Sequence, residues 1–380
     1  MKAIYLDHAA TTPIHPDVLQ VMVETMEDNF GNPSSVHSFG RKARQLLDKA
    51  RMTAAKSIGA SEKDIIFTSG GTEADNLALL GVAEANRDKG KHIITTKMEH
   101  HATLHAAQAL EKKGYQVTYL DVLENGTIDY EQLKSSLRDD TVLVSVMMVN
   151  NETGVIQPIE EIGNLLKEHQ AYFHTDAVQA YGLLPINVTA LGVDLLTVSS
   201  HKINGPKGVG FLYIHPDVKI NAQQFGGEQE RKRRAGTENV AGVAGFAKAI
   251  EISMIQREER ISSYQKYRDL FLEKLNEAAI DFSINGVDSE RVPNVVNISF
   301  PCANVEQLLT NFDLSGIAAS SGSACTAGSV EPSHVLTAMF SENNPCTTNS
   351  IRFSFGYANN EGNVVEAAEK VGKIVQRLTK

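Results

Sequence analysis

Cysteine is scarce in this chain of 380 residues: Cys302, Cys325 and Cys346 are few, odd in number and far apart. That argues against a disulfide framework or a paired metal knuckle and leaves room for one reduced, chemically active thiol. Long apolar runs are missing too, and none approaches the roughly 20 residues a membrane span needs. The opening stretch Met1 to His8 meets Asp7 before the apolar core of a secretion signal could form, so the cytoplasm is the expected compartment. Positive charge is in deficit, with 36 Lys plus Arg against 46 Asp plus Glu. The formal charge of -10 repels nucleic-acid backbones over most of the surface, and direct nucleic-acid binding is not expected. Internal repeats, low-complexity tracts and a proline-rich linker are absent as well.

What is present is material for a globular protein, 42% hydrophobic and 22% charged. The length exceeds the roughly 250 to 300 residues that one core organises, so two domains are expected. From about Val18 to Ile250, strand-like runs such as Ile65-Ile66-Phe67, Ile93-Ile94, Val142 to Met147, Tyr172-Phe173-His174, Leu195 to Val198 and Val209 to Tyr213 alternate with amphipathic stretches. That alternation predicts an α/β domain whose largely parallel sheet is covered by helices, with ligands at the carboxyl ends of its strands. Between Glu251 and Ala279 the pattern becomes one long charged helix, and the domain boundary is placed there. A large domain of residues 16–258 is expected, with a smaller α+β domain formed by 1–15 and 259–380.

Chemistry-bearing residues fall where strands should end. Ser69-Gly70-Gly71-Thr72 leaves a strand and enters a helix, with Thr72 and Asp75 spaced as a capping pair; the turn can hold a phosphate on free amides or be a plain tight turn. Ser199-Ser200-His201-Lys202 follows another strand. A desolvated lysine there can form a Schiff base with an aldehyde, the alternative being an exposed lysine beside a turn. Asp176, in His174-Thr175-Asp176, is placed to keep a pyridine nitrogen protonated or to cap a helix. His100, in Glu99-His100-His101, offers an imidazole for stacking or proton transfer, and Asn150-Asn151 offers amide donors. Cys325 sits in Ser320-Ser321-Gly322-Ser323-Ala324-Cys325-Thr326-Ala327-Gly328, a run of small residues suited to a thiol that must reach outward. Cys302 and Cys346 read as bystanders.

Together with Tyr5-Leu6-Asp7-His8-Ala9-Ala10-Thr11-Thr12, Phe30-Gly31-Asn32-Pro33-Ser34-Ser35 and Ser350-Ile351-Arg352-Phe353-Ser354-Phe355-Gly356, these motifs resemble the cysteine desulfurases of the NifS/IscS class, first group, nearly end to end. The resemblance implies an aspartate-aminotransferase-like fold with a mostly parallel seven-stranded sheet, and pyridoxal 5'-phosphate (PLP) as cofactor. It implies Lys202 as Schiff-base lysine and proton carrier, Cys325 as sulfur acceptor in a loop of about 320–332, and His100 stacked on the cofactor ring. Asp176 would pair with the pyridinium and Gln179 with the ring oxygen. Gly71, Thr72, Ser199, His201 and, from a second subunit of a homodimer, Thr237 would hold the phosphate, while Asn151 and Arg352 would bind the carboxylate of L-cysteine. The expected products are alanine and a persulfide on Cys325, passed to an acceptor protein. A tRNA 2-thiouridylase is favoured over an iron-sulfur scaffold because the chain stops soon after the helix following Gly356. A selenocysteine lyase, another PLP aminotransferase or lyase, and a noncatalytic sulfur-carrier scaffold are the competing readings. The basic run Arg231-Lys232-Arg233-Arg234 reads as a solvated stretch near the dimer contact rather than an RNA site.

Overall fold

The computed structural model describes residues 3–301, 303–321 and 332–378. Its centre is a seven-stranded sheet in the order Ile65–Thr68, Gly210–Ile214, Leu195–Ser199, Tyr172–Asp176, Thr141–Ser145, His92–Thr96, Gln116–Leu120. The strands from Leu195–Ser199 to Gln116–Leu120 run parallel. Gly210–Ile214 runs against both of its neighbours, so Ile65–Thr68 shares the direction of the rest. Strands rich in Ile, Leu and Val and buried on both faces are what a covered parallel sheet requires. Every residue of Ile65–Thr68, Thr141–Ser145 and Leu195–Ser199 is buried.

Alternation along each strand sorts the two faces. Phe67, Val144, Phe173, Val198 and Phe211 share one core with the helices Pro16–Asp28, Ser38–Ser57 and Val240–Ile255. Ile66, Leu143, Leu212 and Ile214 share the opposite core with Gly71–Ala85 and His101–Lys112. The sheet is thus the middle of three layers; the backbone polar groups of its inner strands are spent within the ladder, and the outer edge of Ile65–Thr68 bonds Arg51 and Glu230.

The charged helix expected across 251–279 is two helices, Val240–Ile255 and Arg257–Glu277, meeting at Gln256. The first buries Phe246, Ala249 and Ile250 against the large sheet, while the second sends Phe271 and Leu275 into a separate core. The second helix begins against the core of the large sheet, through Ile261 and Tyr264, and reaches the separate core only beyond its middle. The separate core holds Val296, Ile298, Ile351 and Phe353 from the antiparallel strands Val295–Ser299 and Ser350–Ser354, with the helices Val305–Leu314 and Glu361–Leu378 against them. Ile4 and Leu6 join that core, and Ile4–Tyr5 pairs with Ile317–Ala318. Among the described residues no helix is long and apolar enough to cross a membrane.

Candidate active site

A cavity of about 370 Å³ opens along the carboxyl edge of the sheet, lined by Ala9, Ala10, Gly71, Thr72, Asp75, His100, Met147, Asn151, Asp176, Val178, Gln179, Ser199, His201, Lys202 and Arg352. Every site residue expected from sequence is in that lining except Thr237 and Cys325. Thr237 is exposed and borders a different groove with Met26, Phe30 and Pro33. Cys325, with Cys302, lies outside the described residues, while Cys346 is half-buried.

The Ile65–Thr68 strand delivers the chain to Gly70, whose φ of 147° suits glycine, and the helix Gly71–Ala85 begins there without a side-chain cap. The expected Thr72–Asp75 capping pair does not form. Asp75 turns inward and is 1% exposed, and Glu73 takes the Ser69 amide at 2.8 Å instead. The first amides of the helix therefore face the cavity beside Ser199 and His201, an arrangement suited to an anion.

Lys202 leaves the Leu195–Ser199 strand on a short helical turn, and its Nζ donates to the Ala9 and Ala10 carbonyls, the latter at 2.8 Å. Gln179 Nε2 donates to Ala9 O at 3.0 Å, and His201 Nδ1 meets Thr11 Oγ1 at 3.1 Å. The N-terminal segment is thus a wall of the site, although the sequence motif there suggested no role for it. His100 caps the helix His101–Lys112, its Nδ1 accepting from the Ala102 amide at 3.2 Å. Burial, then the charge of Lys202 and the neighbouring histidines, lowers its pKa to about 4. The ring is neutral at pH 7 and can accept a proton.

Asp176 ends its strand 6% exposed, with Oδ1 accepting from the Val178 amide at 2.8 Å. Burial raises its pKa to about 6. Burial and the proximity of Asp176 push Asp75 well above the carboxylate range, which favours a proton on Asp75 and the anion on Asp176. Behind them His174 bonds Ser145 Oγ at 2.8 Å and Thr197 Oγ1 at 3.0 Å, fully buried and neutral, its pKa lowered to about 3 by that burial. Across the cavity, Arg352 donates from Nη1 to Asn151 O at 2.9 Å and from Nη2 to Asp7 Oδ1 at 2.8 Å, so both residues expected at the substrate carboxylate meet. Neither Asp75 nor the Asp7 contact was singled out for the site from sequence. The only signal was an acid at a position where the helix pattern turns inward.

This donor set suits PLP: free helix amides with Ser199 and His201 for a phosphate, a buried carboxylate for a pyridinium, a lysine for an aldehyde and a planar imidazole for a ring face. The fold and the cavity define a PLP enzyme of the aminotransferase kind. A family model described as aminotransferase class-V matches residues 4–366. IscS 1 of Bacillus subtilis is 57% identical over the full length of both chains, and the cysteine desulfurase IscS of Dictyoglomus turgidum is 46% identical over 99% of this chain and 95% of its own. A solved structure of a NifS-like protein superposes with a TM-score of 0.92 at 35% identity, covering 99% of this chain and 100% of the other. The chain belongs to the class-V aminotransferases and, within them, to the PLP-dependent IscS/NifS cysteine desulfurases.

Proposed function

We propose that the protein removes sulfur from L-cysteine, forming L-alanine and a persulfide on Cys325. The observation that carries this reading is the single cavity that gathers Lys202, His100, Asp176, Asn151 and Arg352 on one sheet edge. PLP, when bound, supplies an electron sink that lets the substrate Cα lose its proton and weakens the bond from Cβ to sulfur. The chain's own residues do the rest. Gly71, Thr72, Ser199 and His201 hold the phosphate. Asp176 holds a proton on the pyridine nitrogen, Gln179 orients the ring oxygen, and His100 covers the ring. Arg352 presents a planar guanidinium to the substrate carboxylate, with Asn151 beside it. Lys202 Nζ carries the Cα proton, and the Cys325 thiolate attacks the substrate sulfur, forming the S–S bond as the Cβ–S bond breaks with its electron pair left to Cβ, which takes up a proton to become the methyl of alanine.

Residues 16–258 form the cofactor domain in this reading, with 1–15 and 259–380 as the smaller one; the core around Phe271, Phe312 and Phe353 supports a second unit, while Tyr264, Val292, Val335 and Met339 pack into the core of the large sheet. A homodimer completes the phosphate site through Thr237. Exposed Met26 and Phe30 share a groove with Thr237, and Phe39, half exposed, lies with its ring 5.4 Å from that of Phe30; an apolar surface of this kind is one that a second copy would cover. The sulfur acceptor is a tRNA 2-thiouridylase on the family resemblance. Transfer of radiolabelled sulfur from Cys325 to a thiouridylase or to an iron-sulfur scaffold distinguishes the two.

The test is the absorbance spectrum of the purified protein before and after L-cysteine, with alanine assayed in the same tube. A visible cofactor band that changes on addition, with alanine released, is expected. Cys325→Ala should keep the band and lose persulfide and most alanine. A colourless protein that stays inert after PLP is supplied would overturn the assignment.

A further inference from the structure

One member of the basic run is turned inward. Arg234 Nε and Nη2 donate to Glu73 Oε1 and Oε2 at 2.7 and 3.1 Å, and the two side chains are only 21% and 14% exposed. Glu73 is the third residue of the helix Gly71–Ala85, next to Thr72 of the cavity, and its Oε2 also accepts the Ser69 amide. Burial works against its ionisation, but the hydrogen bonds from Arg234 and Ser69 prevail and hold its pKa below the ordinary value. The turn that offers amides to an anion therefore carries a fixed carboxylate of its own. Left alone, that charge would repel a phosphate dianion and offset the helix dipole.

The loop bearing Arg234 is built to keep the guanidinium in place. Glu230, Arg231 and Lys232 take left-handed φ values of 43°, 57° and 65°, costly for residues with side chains. The buried pair of Glu230 with Arg51, at 2.6 and 2.7 Å, anchors the segment, and the Phe67 amide donates to Glu230 Oε2 at 3.0 Å. Phe67 lies one residue before Thr68, where the strand turns into the phosphate loop.

We propose that Arg234 is a positioning residue for the cofactor phosphate: by neutralising Glu73 it allows the turn 69–72 to hold a dianion. This rests on reading the cavity as the PLP site. The test compares the affinity of the apoenzyme for PLP and for pyridoxal, which lacks the phosphate, in the wild type, Arg234→Gln, Glu73→Gln and the double variant. Arg234→Gln should weaken PLP on the order of tenfold while moving pyridoxal by no more than about twofold. Adding Glu73→Gln to it should restore PLP binding, and Arg234→Lys, which keeps the charge, should retain most of it. Equal loss of both ligands in Arg234→Gln would mean a merely structural role. A double variant as weak as Arg234→Gln would mean that Arg234 does not act through Glu73. Either result overturns the proposal. A wild type that binds pyridoxal as tightly as PLP would instead sink the phosphate assignment of the cavity itself.

Discussion

Arg51→Met should loosen the phosphate side of the site without touching the cavity. Arg51 and Glu230 are 7% and 2% exposed, and two charge-assisted hydrogen bonds join them. Arg51 also donates to Ile65 O at 2.8 Å and lies 4.7 Å over the Phe67 ring. Methionine fills much of the same volume but leaves Glu230 buried with the Phe67 amide as its one hydrogen-bond donor among the described residues. Breaking a buried pair from one side costs about 3–5 kcal/mol. Two charge-assisted bonds at about 1.5–3 kcal/mol each arrive at the same range. If that cost falls on local opening, the opening equilibrium of the segment rises roughly 10² to 10³·⁵-fold. Hydrogen exchange followed by mass spectrometry, on peptides covering 65–68 and 228–234, reads it directly. Because an apolar pair can replace a buried ion pair at little cost, Arg51→Met with Glu230→Leu should recover most of the protection. Protection within about tenfold of wild type in the single variant, or no recovery in the double, would refute the reasoning.

Gly210→Ala would set a Cβ 2.5 Å from Val198 O and 2.9 Å from Gly70 Cα, both backbone. It should cost about 1–3 kcal/mol and weaken PLP binding, measured by thermal unfolding and cofactor titration. Borohydride is expected to fix the cofactor on the Lys202 peptide of the wild type, and Lys202→Ala should abolish that adduct, read by mass spectrometry. Glu99 is fully buried, and burial raises its pKa to about 8. Between its unfolded value of 4.5 and about 8 the folded state holds a proton that the unfolded state has released. The stability it contributes is therefore complete below the lower value and lost as pH rises, by about 1.4 kcal/mol per unit. The difference in unfolding free energy between wild type and Glu99→Gln should fall with that slope across the window, and a flat difference would show that Glu99 is ionised throughout.

The layered sheet was legible because its strands are short Ile-, Leu- and Val-rich runs that only a doubly covered sheet accommodates. Lys202, Asp176 and His100 were legible because each follows such a run, and strand ends share one edge. The break at Gln256 was not, since no Gly or Pro marks it and helical spacing continues on both sides. Asp75 and Glu73 exchanged roles for a related reason. Both are acids early in one helix, and the tertiary neighbours decide which one takes the Ser69 amide and which is buried: Arg234 for Glu73, Asp176 and His174 for Asp75. Pairings across 161 residues, as between Glu73 and Arg234, leave no local trace. The basic run read as solvated charge, and two of its members, Arg231 and Lys232, are indeed exposed.

The bond between Asp7 and Arg352 spans 345 residues. Asp7, Ala9 and Ala10 are made long before the Ser350–Ser354 strand that takes the Ala9 amide on Ser354 and the Asp7 carboxylate on Arg352, whereas Gln179 and Lys202 can grip the same wall earlier. During synthesis the large sheet can assemble around an unfinished pocket. A chain stopped before that strand carries every residue proposed to hold the cofactor but lacks the guanidinium proposed for the substrate carboxylate.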